Sequence, residues 1–181
     1  MGEWKALKKA SGTGWKELER ESGTGWKALE CESADIDVGA VAEDGSSYMA
    51  GSTRTAICFT NPVNENGTLT KLDLYIHTAW NGIARVGLLY LVSGNTYKCR
   101  SAQDITGLSA GLNADIAVSL VAVAGDYIGI YSRTDPLDAY MELDGSVGAG
   151  KTALGNALLV DQERSFSTSW DYELKAYASN Y

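Results

Sequence analysis

One stretch of the sequence matches a nucleotide-binding motif letter for letter. Residues 145–152 read Gly-Ser-Val-Gly-Ala-Gly-Lys-Thr, which fits the phosphate-binding pattern G-x-x-x-x-G-K-[ST]. In such a loop, backbone N–H groups wrap the phosphates, the lysine neutralises them and the threonine holds Mg²⁺. That site needs a parallel sheet and a later strand ending in a metal-binding aspartate. Antiparallel β signals precede the motif and few residues follow Thr152, so we expect no nucleotide binding here.

The sequence contains few residues that could form other catalytic or metal-binding sites. His77 is the only histidine, so a Ser-His-Asp triad would have to use it, and a histidine-cluster metal site is excluded. Glu142 and Asp144 would share one face of a strand, where they could chelate Ca²⁺ or form a glycosidase pair. In an acidic protein, a solvated sheet face explains such a pair more simply. We therefore assign no catalytic, cofactor-binding or metal-binding residue, and no cofactor.

Aromatic residues at predicted strand ends offer a different chemistry. Trp80, Tyr97 and Trp170 lie in or beside such positions, and rings at loop tips can stack on sugars. The competing interpretation is that these rings close the ends of a β-sandwich core. Trp80, just before the Asn81-Gly82 turn, is the first candidate for a glycan contact.

The first 33 residues carry a short tandem repeat. A Trp-Lys-x-Leu unit recurs every 11 residues, and Ser-Gly-Thr-Gly precedes its second and third copies. A unit this short cannot bury its own tryptophan and leucine, so it must pack on neighbouring units or chains. The repeat predicts an assembly or attachment segment with the contact residues Trp4, Leu7, Trp15, Leu18, Trp26 and Leu29.

Two conformations fit this repeat. Lys, Ala, Leu, Glu and Arg favour helix, and Trp and Leu three residues apart share a helix face. Alternatively, each unit forms a strand and turn, stacked as in a β-solenoid or fibre shaft. Short helices are marginal alone, so either form needs packing. The composition slightly favours short helices.

Composition excludes several classes of protein. The chain has 45% hydrophobic and 21% charged residues, which is typical of a globular protein. Its net charge of −8 argues against nucleic-acid binding. We expect no membrane insertion and no cleaved signal peptide, because no apolar run is long enough. Cys31, Cys58 and Cys99 suit free thiols better than a disulfide framework or a zinc site.

Strand signals dominate the chain after the repeat. Leu72, Leu74 and Ile76 alternate with polar residues, the period of a half-buried strand. About eight or nine such segments, separated by turn signals, predict a mainly β fold: an antiparallel, jelly-roll-like β-sandwich. The expected core residues are Leu72, Leu74, Ile76, Val118, Leu120, Ile128 and Ile130.

The sequence divides into three parts. Residues 1–33 form the repeat segment. Residues 34–52 are small, acidic and rich in Gly and Ser, which predicts a linker with an initial strand near 36–41. Residues 53–181 form the predicted β-sandwich domain.

Residues 34–181 resemble an uncharacterised β-sandwich domain of phage and metagenomic virion-type structural proteins. The resemblance lies in a Gly-Asp-Tyr-Ile-Gly strand after a turn (125–129), followed by an acidic strand and a Gly-rich loop. In that family the stretch matching 145–152 is loop and strand, which weakens the nucleotide-binding interpretation. The Gly-Thr-Gly-Trp-Lys repeats are similar to modules of phage structural and tail proteins. The resemblance implies a setting and transfers no functional residue.

These observations favour a non-enzymatic structural component of a virus-like particle or an extracellular filament. The repeats would dock on a larger particle or oligomerise the chain with itself, and the β-sandwich would be exposed. The expected location is a virion or an extracellular assembly, with surface glycans as possible partners. A carbohydrate-binding module is the first alternative, and a nucleotide-binding protein is the second.

Overall fold

The computed structural model describes residues 35–45, 47–50, 54–78, 82–132, 142–146, 150–169 and 173–181. These residues form β-strands and contain no helix, and every pairing between strands is antiparallel. The predicted mainly β, antiparallel sandwich is confirmed. The strands are β1 Asp37–Gly39, β2 Ser47–Ala50, β3 Arg54–Ile57, β4 Gly67–Thr78, β5 Ala84–Ser93, β6 Thr96–Ile105, β7 Gly111–Ala122, β8 Tyr127–Ser132, β9 Glu142–Ser146, β10 Gly150–Leu154, β11 Glu163–Ser165, β12 Ser167–Ser169, β13 Glu173–Leu174 and β14 Ala176–Ser179.

The β domain begins earlier than residue 53. The chain divides into Met1–Asp35 and Ile36–Tyr181, so β1 and β2 belong to the domain although they fall in the predicted linker. Strand β1 pairs with β14, and Val38 is buried. Gly39 has a φ of +94°, and a Cβ there would overlap the carbonyl oxygen of Ala176. Glycine is needed at this position because the two backbones approach so closely.

The first sheet is built around the long strand β4. Strand β7 pairs along one side of β4, from Gly67 opposite Ala122 to Ile76 opposite Gly111. The other side of β4 pairs first with β14 and then with β9. Strand β1 adds to β14, while β2 and β13 add to β9.

The second sheet curls until it is nearly closed. Its strand order is β11-β6-β5-β8-β3-β10-β12. Only Phe166 separates β11 from β12 in the chain. One short segment, residues 163–169, therefore pairs with β6 at one end of the sheet and with β10 at the other.

The main core lies between the two sheets. It draws on alternate residues of β4, β7, β13 and β14 from the first sheet, and of β3, β5, β6 and β8 from the second. All seven core residues expected from the sequence are buried, so that prediction is confirmed: Leu72, Leu74, Ile76, Val118, Leu120, Ile128 and Ile130.

A second core lies on the other face of the second sheet. It contains Ile57, Leu89, Tyr97, Cys99, Ala153, Ala157, Leu158 and Phe166. Strand β5 serves both cores, since Val86 and Leu88 belong to the first and Leu89 to the second. Gly87 and Gly129 stand opposite each other in the sheet, and a Cβ on either would press on Leu158 or Leu89. The paired glycines leave the space that these two leucines fill.

Residues 155–162, which we call the strap, cover this second core. Thr55 is fully buried and fastens the strap: its Oγ1 donates to the carbonyl of Gly155 and accepts from Ala157 N–H, both at 2.9 Å. Arg85 Nε donates to the carbonyl of Leu158 at 2.9 Å. Backbone groups of the strap that would otherwise be buried without partners are thus satisfied by side chains of the sheet.

The two neighbouring residues Leu120 and Val121 provide a matched test of the main core. Leu120 is fully buried, whereas Val121 is 57% exposed on the opposite face of β7. We expect Leu120→Ala to lower the free energy of unfolding by about 2–5 kcal/mol, because it removes buried methyl groups and leaves a cavity. Val121→Ala should cost less than about 0.5 kcal/mol. Equal losses in urea denaturation would show that the faces of β7 are assigned incorrectly.

Candidate functional site

The lysine of the nucleotide-like motif lies in a strand. Residues Gly150–Leu154 form β10, which pairs with β3 on one side and β12 on the other. Thr152 is buried, opposite Ala56 and Ser167 in the two neighbouring strands. A phosphate-binding loop instead presents its backbone N–H groups at the start of a helix. Because β10 pairs on both sides, the backbone groups of residues 150–154 are engaged in strand pairing and do not wrap a phosphate.

Lys151 meets a cluster of aromatic rings in the second core. Tyr97 packs edge to face against Phe59 and Phe166, with ring centroids 5.8 and 5.4 Å away. Tyr127 lies 5.0 Å from Phe59 and 6.2 Å from Tyr97. Edge-to-face packing at these distances adds to the stabilisation from burial alone. We call these four rings the aromatic cluster.

The ammonium of Lys151 contacts this cluster in two ways. Its Nζ donates a hydrogen bond to Tyr97 Oη at 3.0 Å, and it lies 5.2 Å from the ring centroid of Phe59. Nζ is 5.0 Å from the Tyr97 centroid, so it sits towards the hydroxyl end of that ring. The contact with Tyr97 is therefore mainly a charge-assisted hydrogen bond, and the contact with Phe59 is a cation–π interaction. Lys151 is half-buried.

Of the three candidates for glycan contact, Tyr97 is among the residues that the structure describes. Tyr97 is only 3% exposed, and its ring packs within the aromatic cluster. A sugar stacks on an open ring face, and Tyr97 in this structure uses its ring for core packing instead. Trp80 and Trp170 lie outside the described residues, as do all six repeat residues, Trp4, Leu7, Trp15, Leu18, Trp26 and Leu29.

Asp126 is a buried charged residue at the turn before β8. The carboxylate of Asp126 is 2% exposed and forms a two-point ion pair with Arg100, at 2.6 Å to Nε and 3.2 Å to Nη2. Asp126 also accepts from Val123 N–H at 3.1 Å, which closes the turn before β8. Arg100 lies 4.6 Å from the ring centroid of Tyr90, and the hydrogen bonds that it donates to Asp126 raise the pKa of its guanidinium. The sequence marks the turn at 124–126, but it carries no signal that Arg100 would reach it.

The remaining candidates are dispersed. His77 is exposed on β4, and Glu142 and Asp144 lie in β9, where their side chains fall outside the described part. Within the described ranges, no three His, Cys, Asp or Glu residues are grouped so that they could hold a metal ion. A search of those ranges for a helix able to span a membrane also found none.

The two described cysteines are buried thiols in different cores. Cys58 belongs to the first core and Cys99 to the second. Burial raises the pKa of the Cys99 thiol to about 11. Because the thiolate is the nucleophilic form, Cys99 is poorly suited to react at neutral pH.

Comparisons of the chain with protein-family models, curated proteins and solved structures gave no match. Function is therefore inferred from the chain's own residues.

The Arg100–Asp126 pair should contribute more to stability than an exposed pair. Asp126→Asn removes the charge from a buried group with three hydrogen bonds, and we expect a loss of about 3 kcal/mol in the free energy of unfolding. Asp104→Asn is the matched control, because Asp104 is 54% exposed and pairs with Arg85. That change should cost less than about 1 kcal/mol. Similar losses in urea denaturation would contradict the structural role of Asp126.

The position of Lys151 also leads to a binding prediction. Because Lys151 donates to Tyr97 within a paired strand, we expect calorimetric titration of ATP or GTP with Mg²⁺ to give no binding heat. Lys151→Ala serves as the comparison. Micromolar binding by the wild type that the substitution abolishes would restore the nucleotide-binding interpretation.

Proposed function

We propose that this protein is a non-enzymatic structural component of a virus-like particle or an extracellular filament. In this proposal the N-terminal repeats attach the chain to a larger particle or to other copies of itself. The β domain, Ile36–Tyr181, is displayed from that attachment. The observation that carries the proposal is the Trp-Lys-x-Leu repeat, whose apolar side chains need partners outside their own units.

The described charged residues support a structural role for the β domain. Lys151 is held by Tyr97 and Phe59, and Asp126 by Arg100 and Val123. Catalytic acids, bases and nucleophiles work when their pKa is matched to the reaction and a substrate can reach them. These groups are instead engaged in packing and hydrogen bonding at the borders of the two cores.

The architecture of the domain suits display. The second sheet is packed on both faces, and residues 163–169 join its two ends. Sheets packed in this way hold their loops in fixed positions, and loops on a rigid scaffold are where β-sandwich proteins usually bind. The proposed partners are other copies of the chain or a larger particle, with surface glycans as possible contacts of the displayed domain.

The test compares two sets of substitutions in the full chain. Replacing Trp4, Trp15 and Trp26 together by alanine removes the apolar contacts and should reduce the native mass measured by light scattering. Replacing Lys5, Lys16 and Lys27 by alanine in the same units is the matched control and should leave the mass nearly unchanged. A wild-type chain that is already a stable monomer with exposed tryptophans would refute the proposal.

A further inference from the structure

The outer edge of β7 is bonded to side chains of the neighbouring sheet. In the described part of the chain, β7 makes main-chain pairs with β4 alone. On its other edge, Ser119 N–H donates to Gln103 Oε1 at 2.8 Å, and Gln103 Nε2 donates to the carbonyl of Ala117 at 3.2 Å. Val121 N–H donates to Ser101 Oγ at 3.1 Å. Edge groups of three alternate residues of β7 are therefore bonded to two side chains of β6.

Gln103 imitates a residue of an added strand. In a parallel ladder, one residue donates to the carbonyl of residue i−1 on its neighbour and accepts from the N–H of residue i+1. The carboxamide of Gln103 makes this same pair of bonds with Ala117 and Ser119. It occupies the hydrogen-bonding positions that another strand would otherwise fill.

A β-bulge in β6 directs these side chains towards β7. Leu88 pairs with Ser101, but the next residue, Leu89, pairs with Cys99, so Arg100 is the extra residue. Such a bulge reverses which face the following residues present. Before it, Cys99 points into the second core, and after it, Ser101 and Gln103 reach the edge of the first sheet.

We propose that Ser101 and Gln103 guard the β7 edge against pairing with β7 of a second copy of this chain. An open edge strand is a template for main-chain pairing with another chain. The β7 strand is long, at 12 residues, and its exposed side chains include Leu112 and Val121. Every copy carries the same edge, so two β7 strands can pair antiparallel about a twofold axis at Ala117, whose carbonyl Gln103 covers, which places Ala117 opposite its own copy. This inference does not depend on the proposed role of the N-terminal repeats.

The test removes the side chains of Ser101 and Gln103, which we call the guard, in the full chain. In Ser101→Ala/Gln103→Ala, we expect the amides of Ser119 and Val121 to exchange hydrogen roughly five- to tenfold faster at low protein concentration, measured by NMR. As concentration rises, light scattering should show complexes heavier than those of the wild type. Gln103→Glu keeps the acceptor for Ser119 and loses the donor to Ala117, so it should give a smaller change of both quantities.

The control is Thr96→Ala/Asp104→Ala, which removes two polar side chains of the same strand that contact Ser165 and Arg85. It should leave both the mass and the exchange at β7 unchanged. To locate the contact, Ala117→Cys is introduced in a Cys31→Ser background and oxidised. A cross-linked dimer should form with the guard removed and not with the guard intact.

Three results would overturn the proposal. Unchanged amide exchange would mean that the side-chain bonds do not protect the edge. Faster exchange with unchanged mass would mean that the open edge does not pair. Increased mass without the Ala117→Cys cross-link would place the contact elsewhere.

If the double variant does not fold, the same criteria apply to Gln103→Ala and Gln103→Glu, which retain Ser101. Loss of the repeats lowers the mass, whereas loss of the guard raises it, so the two proposals fail separately.

Discussion

The second sheet is packed on both of its faces, and the rest of the domain depends on that constraint. Val86 and Leu88 of β5 pack towards the first sheet, while Leu89 packs beneath the strap. Both faces of β5 are buried only over its first six residues, and Val86, Leu88 and Leu89 in that part are apolar. Side chains of the second core also lie close to the backbone of this sheet. The opposed Gly87 and Gly129 have no Cβ atoms and so leave room for them. The two cores thus share strands of the second sheet.

The strap and the charged residues follow from this arrangement. A chain segment that covers a core needs partners for its backbone groups, and Thr55 and Arg85 supply them. Charge is tolerated beside the cores where it is paired or can reach water. Asp126 is paired with Arg100, and the half-buried Lys151 donates to Tyr97. These charged groups contribute to holding the domain together.

The two sheets close in physically different ways. Residues 163–169 join the ends of the second sheet through main-chain pairing. The β7 edge of the first sheet is bonded to the side chains of Ser101 and Gln103, and these bonds are exposed to solvent. A displayed domain that associates through its own edges would compete with attachment through the repeats. Guarded edges would leave the repeats as the main route of assembly.

The sequence by itself determined the class of fold and part of the main core. Alternation at Leu72, Leu74 and Ile76 predicts a half-buried strand because successive side chains of a strand point to opposite faces. That rule is local, so it needs no knowledge of the partner strand. Local signals also placed a strand near the start of the domain, where β1 is found.

Tertiary structure decided what the candidate site residues do. The motif at 145–152 specifies residue types, but a phosphate site also requires a following helix, and pairing with β3 and β12 makes residues 150–154 a strand. Tyr97 is buried among the rings of Phe59, Tyr127 and Phe166, which come from distant parts of the chain. The bulge at Arg100 sets which residues of β6 face each core. The physical reason is common to all three: strand register and the covering of a face depend on pairings between distant segments, which local periodicity does not encode.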